Sequence, residues 1–159
     1  MGTVKKITEK TLQVNAIENG TVLDHIPADQ LFKVIQILGL DKECKNQITF
    51  GTNLESKKLG RKAIIKIADR VFKPKEINKI ALVAPDAKIN IIKDFKVIEK
   101  KVISIPKEIV GIAKCMNPAC ITNHQPVPTR FTTSYENKHL KLLCHYCEKT
   151  VGQEDIVLR

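Results

Sequence analysis

TVLDHIPADQLFKVIQILGL, residues 21–40, holds a strand and a helix in one line. TVLDHI is extended in character, and Pro27 ends that run and can open a helix. Beyond it Ala28, Leu31, Val34, Ile35 and Leu38 recur at three- and four-residue spacing, which predicts one buried helical face. Gly39 suits the helix C-terminus. Upstream, TLQVNAI (11–17) alternates well enough for a strand, with Glu18-Asn19-Gly20 as a turn signal between the two runs. Downstream, QITFGTNL and KAIIKIA are strand-like and separated by the polar ESKKLGR. PKEINKIALV fits a second helix, with Ile77, Ile80 and Ala81 on one face and Pro74 near its start. AKINII and FKVIEKKV then read as strands joined at Lys93-Asp94. The order is strand, helix, strand, strand, helix, strand, plus an extra strand or two. That is the split βαβ, ferredoxin-like order, an α+β fold with helices on one face of a mainly antiparallel sheet.

The chemistry changes after residue 104. Residues 1–104 carry 20 basic and 12 acidic groups, a net of +8, whereas residues 105–159 carry 7 and 5, a net of only +2. The cysteines divide the other way. Cys44 is alone in the first part, on a polar turn that makes it an incidental thiol, and Cys115, Cys120, Cys144 and Cys147 lie in the second. Two domains are therefore expected, 1–104 and 105–159, joined near residues 101–106 around Pro106.

Cys115 and Cys120 enclose four residues, Cys144 and Cys147 two, with 23 residues between the pairs. Each close pair can offer two sulfurs from one tight turn, and two turns complete a tetrahedron, the sequence form of a tetrathiolate zinc site. Disulfides are the alternative, which a cytosolic chain disfavours. Four thiolates leave no open position, so one structural Zn2+ is expected and not a catalytic one. His124, His139 and His145 are then spare. A module of about 50 residues buries little apolar area, so the metal supplies much of its folding energy. TRFTTSYE and HLKLLC alternate, and VGQEDIVLR offers a closing edge strand, so the module reads as small antiparallel β.

At 43% hydrophobic and 28% charged the chain is globular in composition, which excludes wholesale disorder. No apolar run approaches the ~18 residues of a membrane span, and MGTVKKITEK lacks the apolar core of a secretory signal, so a cytoplasmic protein is expected. A net charge of +10 suits an anionic partner without saying which. The excess sits away from the cysteines and aromatics are only 4%, which disfavours nucleic acid as that partner. No phosphate-binding glycine loop and no nucleophile elbow is present. Asp24 beside His25 could serve a small enzyme, or could equally be a solvated strand end, and Lys62, Lys66 and Lys100 could be ordinary surface charges.

The runs LQVNAIENGTVLDHIPA, GRKAIIKIAD, ITFGTNL and IALVAPDAKINII, with the C-x4-C and CHYCEK cysteine pairs, together resemble the regulatory chain of aspartate carbamoyltransferase, over nearly the whole length and in the right order. The resemblance implies a non-catalytic allosteric subunit of pyrimidine biosynthesis. Its larger domain would bind nucleoside triphosphates, with CTP as inhibitor, ATP commonly as activator and UTP as a further effector, and would pair regulatory chains into a homodimer. Its zinc domain would dock on the separate catalytic chain. By that likeness Asp24 holds the ribose, His25 and Lys100 the phosphates, and Lys66 the base and ribose side. Val14, Ala16, Ile17, Val22, Asn90, Ile92, Phe95 and Val97 match positions lining the rest of the pocket. The sequence departs from the family's best-known enterobacterial form at Asn15, an amide where that form has an acid, and at Phe95, where it has Tyr. Val102 replaces an Arg, and Ala119 replaces an Asn of the docking loop. These changes bear on effector preference and docking strength.

Overall fold

The computed structural model describes residues 14–42 and 44–159. Five strands and two helices build the first layer pair: β1 (Gly20–Pro27), α1 (Leu31–Ile37), β2 (Ile48–Ser56), β3 (Gly60–Ala68), α2 (Pro74–Val83), β4 (Lys88–Lys93) and β5 (Lys96–Val102). The sheet order is β2-β3-β1-β4-β5 and every pairing is antiparallel. This is the ferredoxin-like order with one added hairpin strand, as the element sequence predicts.

Strand alternation decides what each face does. Leu23, Ile65, Ile67 and Ile89 point toward the helices and are buried, meeting Leu31 and Val34 of α1 and Ile80 and Ala81 of α2. Arg70 fastens this layer by donating to the Leu38 carbonyl at the end of α1 and to Glu76 in the first turn of α2 (2.9 and 2.6 Å). Glu76 in turn accepts from the Lys73 N–H at 2.9 Å, closing the start of α2. Among the described residues, the opposite face of the sheet carries no helix.

Several boundaries differ from expectation. Of the strand expected over residues 11–17, residues 11–13 lie outside the described residues, and 14–17 form no strand. The helix expected from Pro27 begins as a 3-10 turn, Ala28–Gln30, before α1, and ends in a turn with Gly39 at φ +64°. The β4–β5 connection lies one residue later than expected. Asp94 and Phe95 are its two central residues, both at positive φ (50° and 62°). That pattern matches the twist of a tight hairpin, though Phe is a costly residue there. The turn is held from outside, since the Phe95 N–H donates to the Glu18 carbonyl at 2.9 Å and the Asp94 N–H to Asn19 Oδ1 at 3.2 Å.

The second part is all β. β6 (Glu108–Val110), β8 (Arg130–Glu136), β9 (His139–Cys144) and β10 (Thr150–Gly152) form a sheet of order β10-β9-β8-β6, with β7 (Ala113–Lys114) lying between β6 and β8 in the chain. VGQEDIVLR does not form one closing strand. It supplies the end of β10, a 3-10 turn, and β11 (Val157–Leu158), which pairs with β7. Phe131, Leu140, Leu142, Ile109 and three cysteines make the core here. Leu82 of α2, fully buried, belongs to this second core, while its neighbours Ala81 and Val83 belong to the first. One helix therefore serves both cores. Among the described residues, no helix is long and apolar enough to cross a membrane.

Candidate functional sites

Directly paired residues of an antiparallel sheet point the same way. Val22 pairs with Lys66 on one side and Asn90 on the other, and Asn90 pairs with Lys100. Lys66, Val22, Asn90 and Lys100 thus form one transverse row over four strands, on the face away from the helices. A neighbouring row runs Gly20, Ile92, Val97. Asp24 lies on the other side of the first row, opposite Lys88. These positions are far apart in sequence and meet only because β1 is the central strand.

β1 is not regular at this point. Its register against β3 shifts between Leu23 and Ile26, and His25 sits at φ +60°. A bulge of this kind re-aims side chains, and a non-glycine residue in the left-handed region marks a position the surroundings hold in place. The Asp24 carboxylate accepts from the His25 N–H at 2.6 Å and from Lys62 Nζ at 2.9 Å. His25 Nδ1 is buried without a hydrogen-bond partner among the described residues, 3.4 Å from the second Asp24 oxygen but out of bonding line. Burial lowers the imidazole pKa below its usual 6.5; Asp24 opposes this, and Lys62, Lys88 and Lys58 add to it. The free imidazole is thus mainly neutral at pH 7.

Lys66 Nζ donates to the carbonyls of Val14 and Asn15 at 3.0 and 2.7 Å, drawing the lead-in segment over the open face. Its pKa is also lowered, by burial, against the attraction of Asp24. Ile17 is buried, whereas Ala16 is exposed. Phe95 stands at the hairpin tip, 65% exposed, at the margin of this group. Lys62, which the sequence offers only as an ordinary surface charge, is the further side chain that reaches Asp24. Its only sequence signal is its place two residues from the β2–β3 hairpin, which does not separate it from other surface lysines. A cleft of about 420 Å³ also opens between the helix layer and the β module, lined by Lys33, Val83, Lys141 and Glu154 among others. None of the positions expected to bind nucleotide lines it.

In the second part the four cysteines converge. Their Sγ atoms all lie within 4.8 Å of one another, with Cys115–Cys147 at 3.7 Å and Cys120–Cys144 at 3.8 Å. A tetrahedron of metal–sulfur bonds near ~2.3 Å has edges of about 3.8 Å. The separations fit a metal and are far too long for disulfides. Burial pushes the Cys115 thiol up to about 12 and raises Cys144. Burial opposes the change at Cys147, but the Asn117 side chain, the Lys149 N–H and the neighbouring thiols bring it down to about 6. Cys120 is lowered in the same way, with the Thr122 hydroxyl 3.2 Å away as the main cause against burial. Around them, Asn123 Nδ2 donates to the carbonyls of Cys115 and Asn117 at 2.9 and 2.8 Å, closing the first cysteine loop. The chain offers a closed structural metal site.

Residues 12–104 match the family described as aspartate carbamoyltransferase regulatory chain, allosteric domain, and residues 107–157 match the metal binding domain of the same chain. Similar curated proteins carry the name aspartate carbamoyltransferase regulatory chain. That of Phocaeicola vulgatus is 52% identical over 150 residues, 94% of this chain and 96% of the relative. That of Parabacteroides distasonis is 50% identical over 151 residues, 95% and 97% of the two chains. The archaeal protein of Thermococcus gammatolerans is 51% identical over 146 residues, 92% and 96%.

Proposed function

The chain belongs to the family of aspartate carbamoyltransferase regulatory chains, a regulatory and not a catalytic subunit, and from that premise we propose that the open face of its five-stranded sheet binds nucleoside triphosphates. CTP is the inhibitor in this reading, with ATP as activator and UTP as a further effector, and the assembly works in cytoplasmic pyrimidine biosynthesis. The observation that carries it is the transverse row of Lys66, Val22, Asn90 and Lys100, with Asp24, His25 and Lys62 at its side. Two ammonium groups separated by a small polar and apolar floor suit a long anion lying across strands. Lysines are point charges that follow mobile phosphate oxygens, and Asp24 can accept from ribose hydroxyls. In this reading, backbone groups near Val14, Asn15 and Phe95 read the base edges.

Residues 1–104 form the nucleotide and regulatory-homodimer domain, and residues 105–159 the domain that docks on the catalytic chain. Supporting the docking role, Met116, Ile121 and Tyr146, which flank the cysteines, leave 40–46% of their surface exposed. The metal is one Zn2+, held by Cys115, Cys120, Cys144 and Cys147. A d10 ion with no geometric preference of its own suits a tetrahedral thiolate set. When bound it cross-links the two cysteine turns and supplies folding energy, with no position left for substrate. Nucleotide binding biases the assembled enzyme between states of low and high activity, a coupling of about 1–3 kcal/mol in such systems.

Calorimetry of CTP and ATP binding tests the site. Lys100→Ala weakens both nucleotides by about 1.5–3 kcal/mol, since both present the same triphosphate. Lys66→Ala changes the ratio between them, because Lys66 holds the segment expected at the base side. Unchanged affinities in Lys100→Ala remove that residue from the site.

A further inference from the structure

The last residues of the chain run between its two parts. Leu158 pairs with Ala113 and packs against both cores. Lys33 of α1 donates to the Ile156 carbonyl at 3.3 Å, and Lys79 of α2 to the main-chain oxygen of Arg159 at 2.8 Å. The Arg159 N–H donates to the Ile112 carbonyl at 2.8 Å, and its guanidinium donates to the Thr122 carbonyl at 3.1 Å. Thr122 is 2% exposed, and its hydroxyl lies 3.2 Å from Cys120 Sγ. A thiolate that holds a metal carries no hydrogen, so the hydroxyl is the donor in that contact. Hydrogen bonds therefore run without a break from Lys79 on α2, through Arg159 and Thr122, to one cysteine of the metal set.

We propose that Thr122 is a positioning residue that orients Cys120 for the metal, and that Arg159 and Lys79 fasten it to α2, so that the grip on the metal is set in part from the larger domain. This rests on the reading of the four cysteines as a zinc site. A hydroxyl donor to a ligating thiolate fixes its orientation and disperses its charge, and loss of such outer partners commonly weakens metal binding by 10–100-fold. Arg159 touches no ligand. It holds the turn that presents the hydroxyl.

The test follows zinc release from the full-length loaded chain to a colorimetric chelator, with zinc content by elemental analysis and the thiolate-to-metal absorption of the cobalt form alongside. Thr122→Val, which keeps shape and removes the donor, releases zinc about tenfold faster and moves the cobalt band to longer wavelength. Thr122→Ser restores both. Arg159→Met and Lys79→Met, both altered at the surface, quicken release about two- to fivefold without moving the band as far. Thr122→Val releasing at the wild-type rate, or both surface variants doing so, overturns the inference while leaving the zinc site in place. A wild-type chain that takes up no zinc overturns the zinc reading and this inference with it.

Discussion

Leu82→Ala should separate the unfolding of the two parts of the molecule. Leu82 lies on α2 between residues that pack into the larger domain, yet its own side chain is 0% exposed within the core of the metal module. Truncating a fully buried leucine costs about 2–5 kcal/mol, the upper values where the site cannot collapse. Here the loss falls on the contact between the parts, because the first core keeps Ile80, Ala81 and Val83. With an m-value of about 1–2 kcal/mol per molar urea, the module's midpoint falls by about 1–5 M. The sequence provides the assay. The chain has no Trp and two Tyr, and both, Tyr135 and Tyr146, lie in the metal module. Tyrosine fluorescence therefore reports that module alone, while far-ultraviolet circular dichroism reports the whole chain. In the zinc-loaded wild type the two probes should trace one transition; in Leu82→Ala the tyrosine transition should come first. Probes that stay coincident, with a midpoint lowered by less than about 0.5 M, would refute the placement of Leu82 as the bridge.

Removing the metal with a chelator, or Cys115→Ala, should unfold residues ~107–159 and abolish docking on the catalytic chain while CTP binding persists; tyrosine fluorescence and calorimetry on one sample check it. Gly20→Ala should destabilise the larger domain by about 2–4 kcal/mol, because Gly20 has φ +138° and a Cβ there would stand 2.1 Å from the Ile67 carbonyl oxygen; urea unfolding followed by circular dichroism measures the loss. Nucleotide binding should take up a fraction of a proton. The free His25 pKa lies below 6.5, a bound triphosphate raises it, and affinity therefore falls as pH rises through the pKa of the complex. Calorimetry in buffers of different ionisation enthalpy reads the uptake, and its disappearance in His25→Gln assigns it; uptake unchanged in that variant rules His25 out.

The element order was legible because the periods are clean: Leu31, Val34 and Leu38 on one helix, Ile65 and Ile67 on one strand. The cysteine set was legible from spacing alone. What escaped the sequence depends on contacts made at long range. Phe95 in a left-handed turn contradicts local preference and is held by Glu18, 77 positions earlier. Leu82 falls off the helical face defined by Ile77, Ile80 and Ala81, so its periodicity reads as solvent where a second core waits. Lys62 looks like any lysine until the β1 bulge brings Asp24 to it. The row from Lys66 to Lys100 has no local signature, because strand alternation says only that these positions share a face, not which others join them. Those positions were named by family likeness. The Thr122 hydroxyl, two residues beyond a cysteine, had a signal, but one too common to separate from a plain core threonine.

The central place of β1 also governs how this protein is made. It is the first described strand to leave the ribosome, yet its partners β3 and β4 end only at Ala68 and Lys93. At usual rates of synthesis, ~5–20 residues per second, β1 waits about 3–13 s between its own completion and that of its second neighbour. Both of its edges are bare until β3 is made and one stays bare until β4 follows, the condition in which nascent strands join the wrong chain. The bulge at Asp24-His25 and the proline at its end break the row of backbone donors that such an encounter would need. The distortion that aims Asp24 across the open face thus also guards the strand before that face exists.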